Sequence, residues 1–204
     1  MIKLIILSTF FSLFNYGVSI DTSAADGWSF VKEEHGVKLY NRAISGFEFK
    51  EVKAVLHVKT DLTKAKNYLL NPNNIEKWMS GCSMSIAKKS NGNTREYYTI
   101  FDAPWPISDR DDYGMMELKE SSSGKLHIDF KSVPNGTPKV SSMVRVPYSR
   151  GNIIIETNGK GDKILIYQML VDRGGSLPNY VKDHLENTSP VHTVQKLKII
   201  LQNL

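Results

Sequence analysis

Polar and apolar positions alternate in short runs along most of this chain. In residues 28–44, WSFVKEEHGVKLYNRAI, two stretches of aromatic and β-branched residues flank Glu33-Glu34-His35-Gly36, the pattern of a hairpin. EFKEVKAVLHVKT then sets Phe49, Val52, Ala54, Leu56 and Val58 mostly on one face, as in a strand with one side on a core. The period changes in DLTKAKNYLLNP, where Thr60-Asp61 suits an N-cap and Ala65, Tyr68 and Leu69 stand three and four apart. With Asn71-Pro72 as a stop, this predicts a short helix. A further turn over 73–78 is expected to tuck Trp78 against the core.

Alternation then resumes. Asn91-Gly92, between MSIAKKS and TREYYTIFDA, is a strong hairpin signal, and Ser121-Ser122-Ser123-Gly124 joins DDYGMMELKE to KLHIDFKSV. Asn158-Gly159-Lys160-Gly161 marks another turn between two apolar strands, and Arg173-Gly174-Gly175 closes the sheet. Residues 132–142, SVPNGTPKVSS, form a loop longer than a hairpin needs, and such loops are often functional. From Leu177 the helical period returns at Val181, Leu185, Val191, Val194, Leu197, Ile200, Leu201 and Leu204. Pro190 lies inside that helix and should kink or divide it. The order predicts an α+β domain, a curved antiparallel sheet closed by a long C-terminal helix, with a concave side either filled or hollow.

Composition narrows this to a single globular domain of 204 residues with a real core, at 41% hydrophobic and 23% charged. Residues 1–25 differ from the rest. Lys3 is followed by the uncharged LIILSTFFSLFNYGV and then by a polar stretch ending in small residues, which reads as a signal peptide ahead of a 26–204 domain. An exported protein, periplasmic or secreted, is therefore expected. Removing residues 1–25 takes away one cation, Lys3, and one anion, Asp21, so the net charge stays at +5. In an exported protein, that charge suits transient attraction to an anionic membrane surface, and no nucleic-acid motif is present. A single cysteine, Cys82, rules out an intrachain disulfide. A monomer is expected.

The chain carries no nucleophile elbow, no HExxH and no phosphate loop, and its five histidines have no chelating spacing. No metal, no cofactor and no enzymatic activity are expected. APWPISDRD, residues 103–111, holds the densest charge. Pro104 and Pro106 exclude a helix interior or a central ladder position. The expectation is a corner on a wet rim, with Trp105 packed against it and Arg110 paired with a neighbouring carboxylate, rather than an acid/base pair built from Asp109, Asp111 and Asp112. Tyr97, Tyr98, Phe101, Met115, Met116, Phe130, Met143, Tyr148, Tyr167 and Met169 are accounted for mostly by core packing. The sharper reading has some of them lining an apolar cavity.

DGWSFVKEEHGVKLYNR, the helix leading to Trp78, PWPISDRD, Val144-Arg145 and VDRGGSLPNYV before a terminal helix resemble, in that order, the START domain of lipid-transfer proteins. The resemblance implies a helix-grip fold (START/Bet v 1-like) with one lipid held between sheet and helix, gated by residues 177–204 and 132–142. It implies a lipid ligand of sterol, phospholipid or fatty-acid class carried between membranes. The lipid-binding candidates are Tyr97, Phe101, Met116, Phe130, Met143, Arg145, Tyr167, Met169, Tyr180, Val181, His184 and Leu185, with Arg145, Tyr167, Tyr180 and His184 supplying polar groups. Several relatives carry a buried arginine where this chain has Met116, and an acidic partner where it has Tyr97, which implies a more apolar pocket. Two rival readings are a cavity enzyme of cyclase/aromatase type, using His184 or Tyr167, and a non-transferring lipid sensor.

Overall fold

The computed structural model describes residues 27–158 and 162–204. The signal-like segment and residues 159–161 of the glycine-rich turn lie outside the described residues. Strands β1 (Ser29–Glu34) and β2 (Val37–Arg42) are joined through His35 and Gly36, both at positive φ, 51° and 76°. That two-residue turn has the twist that paired strands need. After β3 (Glu51–Val58), helix α1 (Leu62–Leu69) starts where the Asp61 side chain accepts the Lys64 N–H, and it buries Ala65 and Leu69. A 3-10 turn at Pro72–Asn74 leads into α2 (Ile75–Trp78), which seats Trp78 in the core.

Two hairpins follow, β4 (Cys82–Asn91) with β5 (Thr94–Phe101), and β6 (Arg110–Ser121) with β7 (Lys125–Ser132). Then come β8 (Val144–Arg145), β9 (Tyr148–Thr157), β10 (Lys163–Asp172), α3 (Asn179–Asn187) and α4 (Ser189–Gln202). The ten strands form one sheet in the order β1-β2-β3-β10-β9-β7-β6-β5-β4, antiparallel throughout, with the short β8 added parallel to β6. The predicted terminal helix is two helices, which divide at Thr188 (φ −112°, ψ −50°), because Pro190 has no N–H and sits in the first turn of α4.

The core fills the concave side at one end. Val191, Val194, Leu197 and Leu201 of α4 pack with Val37, Leu39, Leu56, Leu126, Ile155 and Leu165 of the sheet. A second cluster forms on β2, β3 and β10, where Trp28 joins Tyr40, Val55 and Ile164, with Arg42 and Lys53 over the indole ring at 4.4 and 4.5 Å. The fold is therefore packed under α4. Under α3 it is hollow, and α3 has no buried residue.

Candidate functional site

Strand parity builds the site. The β5–β6 register pairs Tyr97 with Gly114, Thr99 with Asp112 and Phe101 with Arg110, all on the concave face, while Tyr98 and Asp111 point to the other. Gly114 is required there, because a Cβ would lie 2.4 Å from the Tyr97 ring. Adjacent aspartates thus enter different environments. Both are buried, as is Arg110, so the expected wet rim is corrected.

Asp111 is held by Arg145, whose Nε and Nη2 donate to its two carboxylate oxygens at 2.9 and 2.7 Å, and by the Tyr98 hydroxyl at 3.0 Å. Burial alone would raise the Asp111 carboxyl, but these donors outweigh it and hold it below its ordinary value. Arg145 also donates to the carbonyls of Pro134, Thr137 and Pro138. The 132–142 loop is therefore clamped to the sheet and lines none of the cavities described here. Arg110 does not take a neighbouring carboxylate. It donates to the carbonyl oxygens of Ser108 and Gly174, and its Nε is enclosed without a partner. Trp105 does not pack on the corner either, since it is 92% exposed.

Three connected spaces lie between sheet and helices. The outer chamber, about 580 Å3, is bounded by Phe101–Pro104, Arg110, Leu177 and, from α3, Tyr180, Val181, His184 and Leu185. An inner compartment of about 60 Å3 is lined by Phe49, Val52, Tyr97, Thr99, Asp112, Tyr167, Met169 and Arg173 from the sheet side and by Leu185, Ser189 and Thr193 from the helices. Ser80, Phe101, Arg173, Leu185 and Ser189 border both. Beyond the inner compartment, Leu69, Ile75, Trp78, Met116, Ile128, Phe130 and Ile153 close around an apolar gap of only about 10 Å3.

Most sequence candidates fall on these walls: Tyr97, Tyr167 and Met169 inside, Met116 and Phe130 at the apolar end, Phe101 and Leu185 at the junction, and Tyr180, Val181 and His184 outside. Met143 and Arg145 do not. Met143 sits in the loop before β8, and Arg145 is committed to Asp111 and the loop carbonyls. The sequence reading missed Arg173 and set Asp112 aside as part of a wet corner, whereas both are charged groups of the inner wall, with Lys50 and Glu186. Burial pushes the Asp112 carboxyl up to about 7, assisted by Asp111 and opposed by Arg145 and Arg173. The signal that would have placed it is the apolar alternation of β5, continued by register into β6. Cys82 hydrogen-bonds the Met84 carbonyl, and burial pushes its thiol up to about 12, so it is an inert packing residue.

A curved antiparallel sheet closed by a C-terminal helix over an internal, mostly apolar cavity defines a helix-grip pocket protein. The START domain family model matches residues 18–204, and the chain belongs to that family. An uncharacterized Pseudomonas aeruginosa protein is 26% identical over 183 residues, 90% of each chain. The crystal structure of a STAR-related lipid transfer protein fragment from Xanthomonas axonopodis superposes with a TM-score of 0.77 at 25% identity, covering 87% of this chain and 99% of that one. Human StAR-related lipid transfer protein 5 gives 0.76 at 18% identity, with 88% of each chain covered, a likeness of fold. Lipid binding or transfer is the function supported at family level.

Proposed function

We propose that this protein takes one hydrophobic lipid, of sterol, phospholipid or fatty-acid class, into the cavity and carries it between membranes without covalent chemistry. The observation that carries the reading is the outer chamber, walled by Pro104 and Tyr180 beside two aromatic side chains that nothing covers, Trp105 at 92% and Tyr180 at 66% exposure. Aromatic rings with one polar atom favour a membrane interface. The net charge of +5 supports transient docking on anionic lipid. Working as a monomer, the protein would touch the membrane with this edge, and α3 would swing aside. The apolar N-terminal stretch supports export, which fractionation of the cells that make the protein tests.

Vesicle flotation with phosphatidylserine-containing liposomes tests the docking. Trp105→Ser should lower vesicle binding and vesicle-to-vesicle lipid transfer several-fold while leaving the melting temperature within a degree, because the side chain packs on almost nothing. Undiminished binding would contradict the docking edge. One observation favours an enzymatic reading, the Asp112 carboxyl near 7 at the cavity wall, where an acid/base group would work. Turnover of a bound lipid that is abolished in Asp112→Asn would establish that reading against simple carriage.

A further inference from the structure

The lipid reading leaves the chemistry of the headgroup open, and two side chains bear on it. Arg173 leaves the end of β10 and borders both the inner compartment and the outer chamber. Its guanidinium makes no hydrogen bond or ion pair among the described residues. It lies over the Phe101 ring, with Cζ 5.9 Å from the centroid, and burial lowers its pKa, with Tyr167 and Asp112 opposing that shift. Across the inner compartment, Asp112 is 6% exposed, and its Oδ1 is enclosed without a hydrogen-bond partner. A buried polar atom left unpaired costs free energy in any protein, so its persistence here calls for a partner supplied from outside the chain.

Arg173 and Arg110 are both cationic, and Asp112 is the acid between them and the apolar end. The other acids on the walls have neutral partners, Asp102 the Ser83 hydroxyl, Asp183 the Asn187 amide and Glu186 the Lys50 N–H, so none of them is paired with Arg173. Burial favours the uncharged form of Asp112, so it offers Arg173 little compensating charge at the inner wall. A guanidinium with free donors matches a carboxylate, which can accept two parallel N–H bonds.

Resting on the lipid-carrier reading, we propose that the lipid is a long-chain acid, its carboxylate held by Arg173 at the junction, beside the unpartnered Asp112 Oδ1. The alkyl chain then has the apolar walls of the outer chamber to follow, Leu177, Val181 and Leu185, since the end bordered by Met116 and Phe130 leaves only about 10 Å3 free. Arg173 acts here as a headgroup ligand, and the choice of lipid class follows from it.

The test is competition binding to the purified protein with three probes of equal chain length, hexadecanoic acid, hexadecanol and hexadecyltrimethylammonium. The wild type should bind the acid at least tenfold more tightly than the alcohol. Arg173→Gln should erase that preference while still binding the alcohol. Alcohol binding as tight as the acid, or a preference for the ammonium probe, would overturn the headgroup assignment and leave the lipid-carrier reading standing. Failure to bind any of the three probes would overturn the headgroup assignment, whereas the lipid-carrier reading falls only if sterol and phospholipid also fail to transfer between vesicles. Should Arg173→Gln not fold, carboxyl-13C hexadecanoic acid bound to the wild type supplies the answer. Its resonance should titrate at a lower pH than the same acid in vesicles, and an equal or higher midpoint would overturn the proposal.

Discussion

At the residue scale, Asp111 and Asp112 carry opposite linkages from adjacent positions. Asp112 has a folded-state pKa near 7, well above its unfolded value, so the folded protein holds a proton that the unfolded chain has released across the interval between them. Its contribution is therefore fully present below about pH 4 and is lost as pH rises toward 7, a swing of roughly 4 kcal/mol for a shift of this size. Asp112→Asn should raise the melting temperature at pH 8 and leave it almost unchanged near pH 4, measured by calorimetry at both. An equal effect at both values would contradict the assignment. Asp111 is held below its ordinary value, so its contribution is present above that value and lost as pH falls through the lower folded pKa. Removing one partner of this buried pair, as in Asp111→Asn or Arg145→Met, should cost about 3 to 5 kcal/mol in urea unfolding, and the double variant should cost less than the sum. The sequence pointed to APWPISDRD but placed its charges on a wet rim, because it read them with the corner rather than as the buried start of the strand it predicted over DDYGMMELKE. Neither the Arg145 partnership nor the Arg173 position leaves a local trace, since each depends on register across strands far apart in sequence.

At the element scale, the two terminal helices differ in what holds them. α4 buries Val191, Val194, Leu197 and Leu201 in the core, whereas α3 buries nothing and is tied to the segment before β3 by Lys182 with Glu48 and by Glu186 accepting the Lys50 N–H. Elements with few buried apolar contacts open at low free energy. Hydrogen exchange should therefore run faster in the α3 amides than in those of α4, and bound lipid should slow α3 selectively. Equal protection of both helices would argue against α3 as the moving wall. The break between them was legible from Pro190. The hairpins at Gly36, Gly92 and Gly124 were legible too, because turn chemistry is local. The role of 132–142 was not, because Arg145 fixes that loop through carbonyl oxygens that no side-chain pattern reveals.

At the scale of the whole molecule, one sheet meets two helices that differ in how much they bury, and the result is a domain packed at one end and hollow at the other. The architecture followed from the order of elements and from the family resemblance. The hollow itself was less legible, since the same aromatic and methionine residues fill a core or line a cavity according to how closely the facing helix approaches. Tyr97, Met116 and Phe130 illustrate this, being buried and also bordering the apolar end. The account rests on that space accepting one lipid. Native mass spectrometry of the protein after exposure to mixed-lipid vesicles tests it most directly. The account predicts a single lipid adduct per chain, displaced one for one by a competing lipid. A protein that stays lipid-free across sterol, phospholipid and fatty-acid vesicles would contradict it.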